Sequence, residues 1–338
     1  MSHFKFITPQ YIASHTNVRE GETKLGEQVT CLQEPGWDAL AATPAMFVIV
    51  GIPEDIGVIA NYGVGGTSGF WEPALKALLN VQETDKIKGA DILVSGYFDF
   101  SEWRRELDGK PISDWRRRVG DIDDAVFPVI EQIVKSGKIP IVIGGGHNNA
   151  YPILKGVSRA NEKPVNCVNL DAHSDYRRVE GRHSGNGFRY AKMDGYLKRY
   201  VMIGLDENYN SKNVLDDMNA DKEINYYFFE DIFLHEHTSF SKVLSKATQF
   251  LHKRSTGIEL DMDRITGMLS SAATPCGVTP VQARQFIIHM AQSVETAYLH
   301  IAEGAIRLDH GRDDPLTPKM AAYLITDFVK AARNKRTV

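Results

Sequence analysis

Short apolar runs alternate with longer amphipathic segments along most of the chain. The apolar runs are rich in Val and Ile and are bounded by Gly, Pro or Asp; they cover residues 45–52, 91–98, 138–146, 165–173, 199–206, 223–229, 257–263 and 297–303. This pattern is typical of strands that are buried on both faces of a parallel sheet. A helical repeat of apolar positions predicts helices over residues 72–81, 121–137, 239–253, 279–294 and 317–335.

The alternation of strands and helices predicts an α/β fold. We expect a three-layer, mostly parallel, doubly wound sheet of about eight strands, with helices on both faces. Residues 1–45 are polar and irregular in pattern, which predicts an irregular N-terminal arm or a few short helices. The sequence contains no linker rich in Pro, Gly or Ser and no internal repeat, so residues 46–338 are predicted to form a single catalytic domain.

Composition and charge exclude several classes of protein. The chain has 338 residues, a net charge of -4 and a pI near 6.3, so it lacks the basic excess of a nucleic-acid-binding protein. No apolar stretch is long enough to span a membrane, and the N-terminus lacks the apolar core of a signal peptide. Three scattered cysteines do not suggest a disulfide framework. We therefore expect a reduced, cytoplasmic protein that binds neither nucleic acid nor a membrane.

Acidic and imidazole side chains follow three of the predicted strands. They are His147, Asp171, His173, Asp175, Asp261 and Asp263. The carboxyl ends of parallel strands meet at one edge of a sheet, and residues two apart on an extended segment point the same way, so these groups can converge. Clustered carboxylates repel each other unless cations lie between them. This donor set suits Mn²⁺, and two such ions can activate a shared water.

The order of these motifs and the residues within them resemble the ureohydrolase family, which includes arginase, agmatinase and formimidoylglutamase. The resemblance covers about residues 45–335 and depends on GGGH (144–147), DAHSD (171–175), DMD (261–263) and IAEGA (301–305). It implies a parallel, arginase-like α/β sheet and two Mn²⁺ ions per subunit. The implied ligands of one ion are His147, Asp171, Asp175 and Asp261. Those of the other are Asp171, His173, Asp261 and Asp263. The family also implies a homo-oligomer, a trimer or a hexamer.

Within this family, GGGH resembles formimidoylglutamases more than the GGDH of arginases and agmatinases. The segment RHSGNGFRYA (182–191) resembles their SSGTPF segment, which implies substrate-binding roles for Ser184 and Asn186. The family's proton-shuttle histidine falls at Ser184, so its neighbour His183 is the candidate shuttle. The alternative is that His183 is an ordinary loop residue.

Two further residues bear on the substrate. Arg177 lies two positions after Asp175, where arginases contact the substrate carboxylate, and a guanidinium there suits a carboxylate. The alternative is that Arg177 is an ordinary surface residue. Glu303 in IAEG matches the family glutamate that holds the substrate amidine or guanidinium, and Asp263 is the candidate for proton delivery.

The sequence therefore predicts an enzyme that uses manganese to hydrolyse a small-molecule amidine. The predicted reaction converts N-formimidoyl-L-glutamate and water to L-glutamate and formamide, a step of histidine degradation. One alternative is a guanidino-compound hydrolase that releases urea. A second alternative is a non-catalytic relative that keeps only the fold.

Overall fold

The computed structural model describes residues 3–32, 36–37 and 39–336. Residues 1–2, 33–35 and 38 of the predicted arm, and residues 337–338 of the predicted domain, lie outside the described residues. The described part of the chain contains the strands β1 (Phe4–Phe6), β2 (Phe47–Gly51), β3 (Ile92–Phe98), β4 (Ile139–Ile143), β5 (Val165–Leu170), β6 (Leu197–Leu205), β7 (Ile224–Phe228), β8 (Thr256–Asp261) and β9 (Thr296–Ala302).

These strands form a sheet in the order β1-β3-β2-β4-β9-β8-β5-β6-β7. All neighbouring pairs are parallel except β1 with β3, which is antiparallel. The consecutive strands β4 and β5 are separated by β9 and β8, so the chain reverses its direction of winding at the centre of the sheet. In open α/β sheets, ligands bind beyond the carboxyl ends of strands at such a reversal.

Helices cover both faces of the sheet, as predicted. The described helices are α1 (Pro9–His15), α2 (Ile56–Ala60), α3 (Trp71–Leu79), α4 (Ser101–Glu106), α5 (Ile112–Lys135), α6 (Ala150–Asn161), α7 (Gly187–Met193), α8 (Lys212–Ala220), α9 (Phe240–Leu251), α10 (Pro280–Ser293) and α11 (Thr317–Arg336). Thr279 caps α10 by accepting a hydrogen bond from the backbone N–H of Gln282. The next residue, Pro280, has no backbone N–H, and the first turn of a helix does not require one.

The core lies in two apolar layers, one on each face of the sheet. In β4, Ile141 and Ile143 point to the layer that contains α3, α10 and α11, while Val142 points to the layer that contains α5 and α6. All three side chains are fully buried. A strand buried on both faces reads as a continuous apolar run, which explains why its position could be predicted from the sequence.

The structure contains elements that the sequence pattern did not predict. The three-residue strand β1 lies in the segment predicted as an irregular arm or a few short helices, and it extends the sheet to nine strands. Helix α1 is a short helix of this segment. Helix α6 was missed because Pro152 and Gly156 interrupt its pattern, although Pro152 lies in the first turn, where proline is tolerated. In the described residues, no helix has both the length and the apolar character needed to span a membrane.

Candidate metal centre

The predicted ligands meet above the four central strands of the sheet. His147 follows β4, Asp171 follows β5 and Asp261 is the last residue of β8. Between β4 and His147 the backbone turns sharply, with φ of +89° at Gly144 and +76° at Gly145. Only glycine adopts this conformation without strain, so the GGGH motif is what allows the His147 ring to enter the centre.

The His147 ring is completely buried among carboxylates. Its Nδ1 atom lies close to one oxygen of each of three aspartates: Asp171 (3.2 Å), Asp175 (2.9 Å) and Asp261 (3.2 Å). One imidazole nitrogen carries at most one proton and can satisfy only one of these oxygens. Oδ2 of Asp171 also accepts from Nδ2 of Asn169, but Oδ2 of Asp175 and Oδ2 of Asp261 compete for the single imidazole proton. This is the environment that a cation stabilises.

The second half of the centre surrounds His173. Its Nδ1 atom lies 3.0 Å from Oδ2 of Asp263 and 3.6 Å from Oδ1 of Asp171. The other oxygen of Asp263, Oδ1, is buried and has no hydrogen-bond partner. A buried carboxylate oxygen without a donor is costly, and a bound cation would remove that cost.

The pKa values of the centre reflect an excess of negative charge. Burial alone would lower the pKa of His147, but the surrounding carboxylates outweigh burial and raise it well above its ordinary value. Burial, together with the Asp171 carboxylate, raises the pKa of Asp175 to about 6. Burial, together with Asp263 and Asp171, raises the pKa of Asp261 well above its ordinary range. These shifts follow from like charges held together in a site shielded from water.

The residues present therefore fit a manganese-type centre with two cations. The first group of converging donors is His147, Asp171, Asp175 and Asp261, and the second is Asp171, His173 and Asp263. Asp171 belongs to both groups. Asp261 joins only the first, and its Oδ1 accepts a hydrogen bond of 2.7 Å from the backbone N–H of Asp263. A bridging role for Asp261 therefore stays a prediction. We refer to the six side chains as the ligand cluster.

Two residues at the centre have a strained backbone conformation. Asp175 has a φ of +46° and Glu303 a φ of +61°, which non-glycine residues seldom adopt. The backbone N–H of Glu303 donates to the carbonyl of Gly145 (2.9 Å), which holds this conformation. Such strain is typical of residues whose position is needed for function.

The Glu303 carboxylate is held at both oxygens. Oε1 accepts from the backbone N–H of His147 (2.9 Å), and Oε2 accepts from the hydroxyl of Ser271 (3.2 Å). Burial, opposed by the N–H of His147 and reinforced by the nearby Asp175, raises the pKa of Glu303 to about 8. The carboxylate is thus oriented and lacks a cationic partner, which a positively charged ligand could supply.

A cavity of about 620 Å³ opens over the ligand cluster. Arg177, Arg178 and Ser184 line its wall, together with Glu303. Arg177 donates from Nη1 to Oδ1 of Asn61 (3.1 Å), and the amide of Asn61 donates to Oγ of Ser184 (3.3 Å). The sequence analysis did not assign a role to Arg178. Its guanidinium makes no ion pair or hydrogen bond within the described residues, so the cavity contains two cationic side chains without acidic partners.

Two of the predicted site residues do not reach the cavity. The fully buried ring of His183 accepts a hydrogen bond at Nδ1 from the N–H of Gly185 and contacts Glu180 through Nε2, each at 3.2 Å. Burial and the nearby Arg116 and Arg177 lower the pKa of His183 to about 4. Both nitrogens are occupied and the ring does not line the cavity, so His183 holds the loop together in this structure. Its shuttle role stays a prediction.

The amide of Asn186 is likewise fully used by its own loop. Its oxygen accepts from Arg182 Nη1 (2.9 Å) and the N–H of His183 (3.1 Å), and its nitrogen donates to the carbonyls of Arg178 (3.3 Å) and Gly181 (2.8 Å). No donor or acceptor remains for a substrate. The amide of Asn186 therefore holds its own loop, and its substrate contact stays a prediction, whereas Ser184 lines the cavity.

The sequence analysis missed a polar layer directly beneath the ligand cluster. Asn169, Glu259 and His300 lie inside β5, β8 and β9 and are fully buried. Asn169 and Glu259 each stand two residues before a ligand, which places their side chains on the same face of the sheet. Polar residues inside otherwise apolar strands were the available signal, because such residues are seldom buried without a specific partner.

Comparisons with known proteins agree with this architecture. Residues 47–330 match the family model described as Arginase family. A formimidoylglutamase of Corynebacterium efficiens is 25% identical over 298 residues, covering 84% of each chain. A formimidoylglutamase of Hahella chejuensis is 29% identical over 195 residues, covering 53% of this chain and 52% of that protein. The match thus spans about half the length of the second relative.

A solved structure shares the fold. The crystal structure of Trypanosoma cruzi formiminoglutamase with Mn²⁺ superimposes with a TM-score of 0.70 at 18% identity, covering 92% of this chain and 98% of that chain. At this identity the likeness supports the fold alone. The prediction of an arginase-like α/β sheet is confirmed.

Proposed function

Because the chain belongs to the arginase family, we propose that it is a manganese-dependent hydrolase of an amidine C–N bond. The substrate we propose is N-formimidoyl-L-glutamate, which reacts with water to give L-glutamate and formamide. The observation that carries this proposal is the pairing, in one cavity above the ligand cluster, of an oriented carboxylate with two cations that lack acidic partners.

Glu303 and the arginines match the two ends of this substrate. The planar amidinium is a cation that a carboxylate binds through charge-assisted hydrogen bonds. Arg177 and Arg178 supply cations for the two carboxylates of the glutamate moiety, and bidentate pairing with a carboxylate is the geometry that guanidinium favours. A substrate with a cationic tail, such as agmatine, would be repelled by the same two side chains.

Two Mn²⁺ ions, held by the six side chains of the ligand cluster, would lower the pKa of a shared water so that it becomes a nucleophile near neutral pH. Glu303 fixes the amidine carbon close to the cluster by binding the nitrogen atoms. Asp263 is the candidate to take up a proton from the attacking water and return it to the leaving nitrogen. Arg177 orients the substrate, which lowers the entropic part of the barrier.

The test is the release of glutamate from N-formimidoyl-L-glutamate by protein loaded with Mn²⁺, compared with a chelated sample. N-formimidoylglycine, which lacks the second carboxylate, is the matched control substrate. Rapid release that requires metal and strongly favours the glutamate compound supports the proposal. Urea release from arginine, agmatine or guanidinobutyrate, without turnover of the glutamate compound, would replace it with a guanidino-compound hydrolase. If metal-loaded protein hydrolyses none of these compounds, a non-catalytic relative becomes the better interpretation.

A further inference from the structure

The polar layer beneath the ligand cluster is continuous across three neighbouring strands. In the sheet register Glu259 pairs with Asn169 on β5 and with His300 on β9. Asn169 donates from Nδ2 to Oδ2 of Asp171 at 2.8 Å, so this layer already contacts one ligand through a hydrogen bond. The layer contacts a second ligand, His147, through the carboxylate of Glu259.

The Glu259 carboxylate is surrounded by donors. Its Oε1 accepts from the hydroxyl of Tyr298 at 2.7 Å. Its Oε2 lies 2.6 Å from Nδ1 of His300 and 3.3 Å from Nε2 of His147. All four side chains are fully buried, so water cannot replace any of these contacts. Removing one partner inside such a network leaves the others unsatisfied.

His300 connects this carboxylate to the loop that carries His147. Its Nε2 lies 3.3 Å from the carbonyl oxygen of Gly144, which can only accept, so Nε2 carries a hydrogen. The other ring nitrogen, Nδ1, lies 2.6 Å from Oε2 of Glu259, and this contact holds Oε2 at 3.3 Å from Nε2 of His147.

We propose that Glu259 is a positioning residue that fixes the tautomer and the orientation of the His147 imidazole. A neutral imidazole carries its proton on one nitrogen, and the other nitrogen presents the lone pair. With the proton on Nε2 facing Glu259, the lone pair of Nδ1 is directed at the space between the three aspartates around it. Histidine ligands of metals commonly donate their second N–H to a carboxylate in this way.

The inference rests on the metal centre of the proposed function but not on its substrate. It predicts a selective effect on one half of the centre. His147 contributes to the group with Asp171, Asp175 and Asp261, whereas the group around His173 has no contact with Glu259. Loss of the Glu259 charge should therefore weaken binding in the His147 half and leave the His173 half largely intact.

The experiment uses the full chain with Glu259→Gln, which keeps the size of the side chain and removes its charge. Glu131→Gln is the matched control, because Glu131 is also a buried carboxylate but pairs with Lys135 and Arg159 on the far side of α5 and α6. Mn²⁺ affinity is measured by titration, and electron paramagnetic resonance distinguishes a coupled Mn²⁺ pair from a single ion. Circular dichroism of each metal-free variant verifies folding.

We expect Glu259→Gln to weaken one of two Mn²⁺ sites by roughly 10- to 100-fold, the range found for such supporting contacts. The signal of the coupled pair should give way to that of a single ion at intermediate concentrations. Glu131→Gln should bind as the wild type does. Equal affinity in Glu259→Gln and wild type would overturn the inference, and so would equal weakening of both sites.

A second variant covers the case in which Glu259→Gln does not fold. Tyr298→Phe removes only the hydroxyl that donates to Oε1 and leaves the aromatic ring in the core. It should produce a smaller weakening of Mn²⁺ binding in the same half of the centre, and unchanged affinity would count against the inference.

If the wild type binds two Mn²⁺ ions and Glu259→Gln loses one selectively, the inference stands even when N-formimidoyl-L-glutamate is not hydrolysed. In that case only the proposed substrate fails. If the wild type binds no Mn²⁺, both proposals fall.

Discussion

The backbone N–H of His147 donates a 2.9 Å hydrogen bond to Oε1 of Glu303. The loop that delivers the first ligand therefore also orients the carboxylate proposed to bind the substrate. Both residues depend on the GGG turn, since Glu303 is held in its left-handed conformation by the carbonyl of Gly145. The proposed metal site and the proposed substrate site therefore share a single segment of backbone.

Glu303→Gln tests the substrate half of this arrangement. Glutamine keeps the side-chain size and an oxygen acceptor for the His147 N–H, but it loses the charge that pairs with the amidinium. Hydrogen bonds to charged groups contribute about 1.5–3 kcal/mol, so kcat/KM should fall by roughly 10- to 150-fold. Steady-state kinetics measure this change, and the Mn²⁺ content should equal that of wild type.

Ser271→Ala is the milder control for this prediction. It removes one hydrogen bond of 3.2 Å to Oε2 and leaves the charge of Glu303 in place. Its kcat/KM should lie between those of wild type and Glu303→Gln. A Glu303→Gln enzyme with wild-type kcat/KM would show that the carboxylate does not bind the reacting group.

Asp175→Asn should have opposite effects on metal binding and on the stability of the metal-free protein. Asparagine tolerates the positive φ at this position as well as aspartate does, so the backbone is preserved. The loss of a ligand should abolish high-affinity Mn²⁺ binding in the His147 half and, with it, activity. In the metal-free protein the same substitution removes repulsion with Asp171 and should be stabilising.

The pH dependence of that stabilisation follows from the raised pKa of Asp175. Its pKa rises from an ordinary 3.8 to about 6 in the folded chain. A carboxyl group whose pKa is raised in the folded chain lowers the free energy of unfolding as the pH increases from 3.8 to about 6. Above about pH 6 the loss of stability is complete. The gain from Asp175→Asn, on the order of 1 kcal/mol or more, should therefore be absent below about pH 4 and complete above about pH 6. Urea unfolding with chelator at both pH values measures it. A destabilised variant at pH 7 would contradict this account.

Arg177→Ala should raise KM with little effect on kcat. Arg177 reaches the cavity wall. Within the described residues, the only hydrogen-bond acceptor of its guanidinium is neutral Asn61, which leaves the charge available for a substrate carboxylate. A charge-assisted pair of about 1.5–3 kcal/mol corresponds to a rise in KM of roughly 10-fold or more. The control is Arg117→Ala, since Arg117 is an exposed arginine that pairs with Asp114 on α5, away from the cavity. Equal KM values in Arg177→Ala and wild type would remove the support for a carboxylate at this position.

Much of the fold and the ligand cluster could be predicted from the sequence because both depend on local patterns. The eight long strands are apolar runs, and the ligands follow three of them directly. The remaining elements depend on partners far away in the chain. The strand β1 has only three residues and exists because β3 offers it an edge. Glu259 was counted as part of an apolar strand, and its role becomes visible only when β9 places His300 beside it.

The side-chain orientations in the loop that carries His183 also depend on a partner far away in the chain. The motif of this loop suggested substrate contacts, but its conformation is set by the buried pairing of Arg182 with Asp123 of α5, at 2.8 and 3.2 Å. That long-range ion pair draws the His183 ring and the Asn186 amide inward and leaves Ser184 on the cavity. Spacing within the motif could not reveal which of these neighbours points outward.

His183→Asn distinguishes a structural role of this ring from proton transfer. The asparagine oxygen can replace Nδ1 as acceptor for the Gly185 N–H, whereas the contact with Glu180 is lost. We expect the free energy of unfolding to fall by about 1–2 kcal/mol, with kcat within about twofold of wild type and an unchanged pH profile. Urea unfolding and pH-rate profiles measure the two quantities separately. A proton shuttle would give the opposite result: stability would be preserved, kcat would fall steeply with loss of one limb of the pH profile, and added imidazole would restore activity. The ring does not line the cavity and its pKa is lowered to about 4, so we expect it to stay neutral near pH 7 and not to exchange protons with a bound substrate.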